Sequence, residues 1–383
     1  MKKIYWAIQS LDNAGGTEAV SVNLMNLLCP YYDITLVSDF EFEGKGIHKL
    51  DPRIKVESLG LPIEVSRFDQ NAGKYGIRHP LKMLKLVHKA LWSFYFGVRK
   101  NRRRMASLME EDALYIGSAL DSYMFAPKGR KVLFHYHFDA DKFFSFVEKW
   151  GRGHSRKPDG WVFLAKSIRD LVLAKRKSLQ GKAFYVHNPI KFPLSDKMEY
   201  HDNAILFVGR FTAQKDPLLA LEVAKELRER NFPFTLDMYG DGHLEGEMRK
   251  FVEENRLDNV RLFNGTPTTP EIYQAHDLFL FTSQYEGFGI VKGEANVNNL
   301  PVVSSRWKGP IDEVFADPRD GVVIDSRDPK DYADAIMKIL ETKEKALQSK
   351  ADVHEAAKRL DDEAIVASWR SILDPYFEAS KSE

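Results

Sequence analysis

Two glutamates, Glu286 and Glu294, are separated by seven residues across a glycine-rich turn in FTSQYEGFGIVKGEANVNNLPVV. A carboxylate accepts paired hydrogen bonds from the vicinal hydroxyls of a ribose or hexose, and the free amides of a helix N-terminus suit a phosphate. The apolar run before Thr282 reads as a buried strand that delivers Glu286 into a loop. Gly287 and Gly289 let the backbone approach a ligand closely, and a helix beginning near Ile290 carries Glu294 round about one turn later. Such a segment could hold a nucleotide and a sugar together. Taken alone, the spacing is more often a glutamate on an exposed turn and another on a solvated helix face. Arg210 and Lys215 add two cations just after the apolar run Ala204 to Val208. A guanidinium fork and a point-charge ammonium there would clamp a diphosphate and stabilise the charge that builds as it leaves.

These residues need a frame, and the rest of the chain supplies the pattern of one. Short apolar runs alternate with amphipathic stretches in both halves, the signature of βα units around a parallel sheet. Strands are expected at Lys3 to Gln9, Ile34 to Val37, Ala113 to Ile116, Lys131 to His135 and Gly160 to Leu164. The pattern restarts at Ala204 to Val208, Thr235 to Tyr239, Val260 to Phe263, Leu278 to Phe281 and Val302 to Ser304. Ligands of open α/β sheets collect at the C-terminal strand ends. A length of 383 residues with 44% hydrophobic content exceeds what one core serves, so two domains are expected. The linker is placed near residues 188 to 200, where Asn188-Pro189 holds the chain extended. The domains are then 1–190 and 191–365, with 366–383 a closing helix that packs back on the first through Trp369, Leu373 and Phe377.

Charge divides with the domains. Residues 1–200 carry 33 Lys+Arg against 21 Asp+Glu, whereas the remainder carries 23 against 34. Opposed halves face different partners, and an anionic surface or acceptor is expected for the first. The single cysteine, Cys29, excludes an internal disulfide and a thiolate zinc site and points to a reducing compartment. No apolar run reaches spanning length, and the N-terminus reads as a charged start and a strand rather than a signal peptide. A cytoplasmic protein, peripheral on the inner face of the cell membrane, is the expectation.

The second half resembles glycosyltransferase family 4 over about 120 residues. The resemblance rests on Val208-Gly209-Arg210, Lys215, Gly240-Asp241-Gly242, Glu286-Gly287-Phe288-Gly289, Glu294-Ala295 and Pro301-Val302-Val303, in the family's order. It implies the GT-B fold, two Rossmann-like doubly wound α/β domains facing across a cleft, and a retaining group 1 glycosyltransferase. The implied reaction moves a hexose or N-acetylhexosamine from a UDP-linked donor to a hydroxyl of a saccharide or lipid-linked acceptor in bacterial cell-surface polysaccharide synthesis. The resemblance also implies that no cofactor or metal is needed, with Arg210 and Lys215 neutralising the diphosphate. Gly16, Gly209, Arg210, Lys215, Gly240, Asp241, Glu286, Phe288, Gly289, Ile290 and Glu294 would bind the donor, Glu294 through the ribose and Glu286 through the sugar. Gly15-Gly16 resembles the family's first-domain glycine loop, with Glu18 in the helical turn that follows. Lys292, Gly293, Asn296, Asn298 and Asn299 depart from the family pattern; Lys292 reads either as an extra donor contact or as a helix-surface cation. A non-catalytic sugar-nucleotide-binding protein and a nucleotide-sugar epimerase of the same fold are the alternatives.

Three readings compete at the polar strand end His135-Tyr136-His137-Phe138-Asp139-Ala140-Asp141. His135, His137 and a carboxylate would suit a metal, and Asp139-Ala140-Asp141 mimics a D-x-D ion site. The preferred reading follows the resemblance: His135 is the histidine near the anomeric centre, a catalytic residue with Glu286, Arg210 and Lys215. Residues 70–109 form the other conspicuous stretch, with ten Lys+Arg and no acid. Lys82, Lys85, Lys89, Trp92, Arg99, Lys100, Arg102, Arg103 and Arg104 would make a membrane or lipid-acceptor patch. A packing helix with a solvated charged face is the second reading. Nucleic acid comes last, for want of any recognisable binding motif.

Overall fold

The computed structural model describes residues 1–12, 16–41, 49–61, 85, 98–118, 120–137, 143–144, 158–265, 269–360 and 362–378. The chain divides into two compact units, Met1–Pro189 with Ile365–Glu383, and Ile190–Ala364.

In the first unit, β1 (Lys3–Ile8), α1 (Gly16–Leu28), β2 (Asp33–Phe40) and β3 (Lys55–Leu61) are followed by α2 (Val98–Leu108), β4 (Leu114–Gly117) and α3 (Leu120–Phe125). Then come β5 (Lys131–Tyr136), β6 (Gly160–Phe163), α4 (Lys166–Lys175) and β7 (Ala183–Tyr185). The seven strands are parallel in the order β3-β2-β1-β4-β5-β6-β7. Central strands buried on both faces must be nearly all apolar, and β1, KIYWAI, is buried from Ile4 to Ile8.

The second unit contains β8 (Ala204–Val208), α5 (Pro217–Glu229), β9 (Thr235–Tyr239), α6 (Glu245–Glu254), β10 (Val260–Phe263), α7 (Glu271–Gln274) and β11 (Leu278–Phe281). It continues through α8 (Ile290–Val297), β12 (Val302–Ser305), α9 (Ile311–Val314), β13 (Gly321–Ile324), α10 (Pro329–Ile339) and α11 (Lys343–Ala357). Its parallel sheet runs β10-β9-β8-β11-β12-β13. Strand order reverses between β8 and β11, so the helices that follow these two strands leave on opposite faces and a crevice opens at their C-terminal ends. Both Lys215 and Glu286 lie in loops leaving those ends.

The α5 helix shows how sequence sets the local geometry. Asp216 caps it by accepting from the Leu219 amide at 3.4 Å, and Pro217 occupies the first turn, where no amide is missed. Leu219, Ala220, Val223, Ala224 and Leu227 then recur on one face and join Ile205, Phe207, Leu278, Leu280 and Val303 in the core. Each of the buried leucine, isoleucine, valine and phenylalanine side chains contributes about 1.5–3 kcal/mol.

The final helices, α12 (Asp362–Leu373) and α13 (Pro375–Glu378), end the chain in the first unit. Trp369 is fully buried, with its ring centroid 5.4 Å from that of Trp6 on β1. Asp374 accepts from Lys2 at 2.9 Å and from the Tyr32 hydroxyl at 2.8 Å.

Candidate active site

The loop after β8 is built around a bare backbone. A Cβ on Gly209 would lie 3.3 Å from Cγ and Cδ of Lys215, so the glycine leaves room for the lysine stem. Asp216 adopts a left-handed conformation with φ 46°, stabilised from three sides. The Thr282 hydroxyl donates to the carbonyls of Lys215 at 3.0 Å and Asp216 at 2.8 Å. The Arg327 guanidinium donates to the Asp216 carboxylate, to the Thr282 carbonyl at 3.0 Å and to Ser305 Oγ at 2.7 Å. Loops from β8, β11 and β13 are thereby tied together, and Lys215 Nζ meets Glu286 Oε1 at 2.5 Å. These two side chains are only 15% and 10% exposed, which strengthens the pair relative to a solvated one. Arg210 remains exposed, donating to Gln214 Oε1 at 3.0 Å, while Gln214 Nε2 donates to the Tyr285 carbonyl at 3.0 Å.

Glu286 is set from its other side by the loop after β12. Its amide donates to the Lys308 carbonyl at 3.2 Å, and a Cβ on Gly309 would come 2.3 Å from the Glu286 carbonyl. Only glycine permits that approach. The turn closes at buried Phe288 and at Gly289, whose φ is 70° and which precedes α8 without any side-chain cap. The amides of the first turn of α8, from Ile290, therefore face no capping side chain, an arrangement that favours an anion.

Glu294 lies one turn into α8 and is 8% exposed. The hydroxyl of Tyr273, a fully buried residue of α7, donates to its Oε2 at 2.6 Å. Burial pushes the Glu294 carboxyl up, while Tyr273, Lys191 and Lys215 pull it back toward ionisation.

The Gly240-Asp241-Gly242 turn is a packing device as well as a strand end. Side chains on Gly240 and Gly242 would strike the carbonyl oxygens of Gly209 and Phe211 at 2.0 and 2.2 Å. The Phe211 amide donates to the Asp241 carbonyl at 2.9 Å, and the Asp241 carboxylate accepts from the Gly265 amide at 3.0 Å. Gly209, Arg210, Lys215, Gly240, Asp241, Glu286, Phe288 and Gly289 are carried by the strand ends and loops of this one sheet, and Ile290 and Glu294 by α8, which follows one of those loops.

Lys292 is neither a donor contact nor a surface cation. It is 2% exposed and pairs with Asp320 Oδ2 at 2.9 Å, while donating to the Val314 carbonyl at 2.8 Å. Arg359 meets the same Asp320 oxygen. Burial draws the Lys292 ammonium down to about 8, with Asp320 pulling the other way. Gly293 has an equally plain cause, since a Cβ there would lie 2.3 Å from Ile190 Cδ1. The three asparagines secure the C-terminal end of α8. Asn296 donates to the carbonyls of Leu300 and Asp320, Asn298 to that of Glu294, and Asn299 to those of Ser195 and Lys197.

In the first unit, Gly16 is the exposed first residue of α1, and Glu18 is buried in its first turn; Gly15 lies outside the described residues. His135 ends up 1% exposed, its ring edge-on to Trp369 at 5.0 Å and 4.0 Å from His137. Neither of its ring nitrogens has a hydrogen-bond partner among the described residues. Burial holds both imidazoles neutral, His137 down to about 3 and His135 well below the ordinary range. Asp139, Ala140 and Asp141 lie outside the described residues, as do Lys82, Lys89 and Trp92. Lys85 is exposed, and Arg99 lies in α2. That helix buries Asn101 and Met105 while exposing Lys100, Arg103 and Arg104; Arg102 is half-buried.

The same architecture occurs in a solved mutant of Staphylococcus aureus TarM, in complex with fondaparinux, alpha-GlcNAc-glycerol and UDP. The two superpose with a TM-score of 0.76 over 97% of this chain and 99% of that one, at 17% identity. The fold is GT-B. Residues 196–359, less than half of this GT-B chain but the part that carries the loops just described, match the family model of glycosyl transferases group 1. A poly(ribitol-phosphate) alpha-N-acetylglucosaminyltransferase of Staphylococcus aureus is 25% identical over 63% of this chain and 49% of its own length. The amylovoran biosynthesis glycosyltransferase AmsD of Erwinia amylovora is 21% identical over 98% of this chain and 100% of its own. The chain thus spans about half the length of the first relative and all of the second. Together these matches give the GT-B fold for the whole chain and a likeness to glycosyl transferases group 1 for residues 196–359.

Several residues that build the site carried no signal in the sequence. Tyr273 sits in a four-residue helix too short to show a period, and Arg327 belongs to a loop far along the chain. Asp216-Pro217, by contrast, is a readable helix start.

Proposed function

We propose that the chain is a retaining, metal-independent glycosyltransferase that moves a hexose or N-acetylhexosamine from a UDP-sugar to a hydroxyl of a saccharide or lipid-linked acceptor. The observation that carries the proposal is the Lys215–Glu286 pair beside the uncapped start of α8, at the crevice where strand order reverses. A nucleoside diphosphate fits this arrangement. Lys215 and Arg210 would take its phosphates, the first-turn amides of α8 would add donors, and Glu294 would accept from the ribose. Released from its pair with Lys215, Glu286 would accept from the sugar hydroxyls, while His135 keeps the role given by the resemblance, as a neutral hydrogen-bonding ring.

The bond from the anomeric carbon to the diphosphate oxygen breaks, and a bond to the acceptor oxygen forms on the same face. The acceptor's proton passes to the departing phosphate. Charge accumulates on that phosphate in the transition state, and the cations act there. The relatives named above lend support to cell-surface polysaccharide synthesis as the setting. A cytoplasmic site on the inner membrane face is favoured by the cations that α2 exposes, Lys100, Arg103 and Arg104. Among the described residues no helix is long and apolar enough to cross a membrane.

Purified protein titrated with UDP-, GDP- and other activated sugars tests the reading. Binding of a UDP-sugar and its transfer or slow hydrolysis in the presence of EDTA, with anomeric configuration kept, is the expected result. No binding to any donor would overturn the reading. Binding without turnover would favour a non-catalytic protein, and conversion to an isomeric sugar nucleotide an epimerase. Co-sedimentation with phosphatidylserine vesicles, falling as salt rises, tests the membrane arm; no sedimentation at low salt would remove it.

A further inference from the structure

Glu294 is held by a neighbour that has no part in the roles given above. Tyr273 is fully buried, its ring 5.6 Å from that of Phe192 and 6.3 Å from that of Phe279, so the phenol has one position available. Its hydroxyl donates to Glu294 Oε2 at 2.6 Å. No hydrogen bond engages Oε1 among the described residues. Two consequences follow from this division of the carboxylate. A side chain with one oxygen fixed loses the rotation it would otherwise have to surrender on binding. The free oxygen is also the one that can accept from a ligand hydroxyl.

We propose that Tyr273 is a positioning residue for nucleotide binding, orienting Glu294 so that its free oxygen accepts from the ribose. The inference rests on the reading of Glu294 as the ribose carboxylate. Other groups facing Glu294 are Lys191, from the segment before β8, and Lys215, from the loop after it; both favour the ionised carboxylate, as the tyrosine does, against the burial that opposes it. Removing the hydroxyl therefore makes Glu294 easier to protonate as well as less well aimed.

The test compares UDP with 2′,3′-dideoxy-UDP as titrants of the full chain and of Tyr273→Phe. Phenylalanine keeps the ring between Phe192 and Phe279, so the fold is retained and only the hydroxyl is lost. Wild-type protein should prefer UDP over the dideoxy nucleotide, and Tyr273→Phe should reduce that preference roughly tenfold. A purely structural role would instead weaken both nucleotides in parallel. The ratio of the two affinities cancels the titration of the diphosphate itself, so its pH profile reports on Glu294. The acid limb of that ratio should move to higher pH in the variant. With a saturating donor, kcat should change little while KM for the donor rises. An unchanged preference in Tyr273→Phe, or equal weakening of both nucleotides, would overturn the inference. Glu294→Gln separates the two levels: if it keeps the preference, the ribose reading has failed, and if it loses a preference that Tyr273→Phe retains, only the role of Tyr273 has failed.

Discussion

At the scale of single residues, Lys215 has the most to do. Its stem lies against Gly209 and its ammonium contacts Glu286, with the Phe281 ring centroid 5.3 Å away. If it neutralises the leaving diphosphate, Lys215→Ala should lower kcat by roughly 100- to 1000-fold, the range typical of losing one transition-state donor. Restored turnover on adding an alkylamine would tie the loss to the missing ammonium, and an unchanged kcat would remove Lys215 from the chemistry. Arg210, Lys215, Glu286 and Glu294 stood out in the sequence because each follows a buried strand or glycine turn in the order of the family the chain resembles, whereas the spacing alone would not have singled them out. The role of Lys292 was not legible, because its partner Asp320 follows in an aperiodic stretch and only the fold brings the two together. Tyr273 was hidden for the same reason, its contact with Glu294 depending on how α7 docks rather than on spacing.

At the scale of elements, α8 connects the chemistry to the fold. Its first turn faces the crevice, Glu294 binds Tyr273, and Lys292 anchors the other side in a buried pair with Asp320. Lys292→Met should destabilise the protein by about 3–5 kcal/mol, because Asp320 loses a buried counter-charge. The pH dependence is the sharper test. With the ammonium titrating near 8 when folded and near its ordinary value of about 10.4 when unfolded, the unfolded chain holds more protons between those limits. Wild-type stability therefore gains a rising contribution from pH 8 to 10 that is absent in the variant. Thermal melts of both proteins should show the stability gap constant below pH 7 and widening above 8; a gap independent of pH would show that the ammonium is not held down. Most of the strands legible in the sequence were buried along their length and read as continuous apolar runs, although β10, an edge strand, was read as well. The strands β3, β7 and β13 escaped notice. All three lie toward sheet edges, where half-polar sequences such as KVESLGL, or only three residues in β7, carry a weak pattern.

At the scale of the whole molecule, the two units differ in charge as well as in contents, with the basic excess in residues 1–200 and the acidic excess beyond. The second unit carries every proposed donor-binding residue except Gly16, and the first is completed by residues near the end of the chain, where Trp369 packs on Trp6 and Asp374 takes Lys2 and Tyr32. A parallel-sheet chain of two domains was readable from alternating apolar runs. The extended stretch after Asn188-Pro189 marked the linker region, and the structure divides the chain between Pro189 and Ile190. The return of the last helix depended on aromatic packing that one stripe of residues only hinted at. The proposed division of labour spans seven residues of one loop and helix, Glu294 for the nucleotide and Glu286 for the sugar. Calorimetric titration of UDP into wild type, Glu294→Gln and Glu286→Gln, paired with transfer rates from the UDP-sugar, tests it most directly. UDP affinity should fall roughly 10- to 100-fold in Glu294→Gln, whereas Glu286→Gln should keep near-normal UDP affinity with greatly slowed transfer. Unchanged binding and turnover in both variants would contradict it.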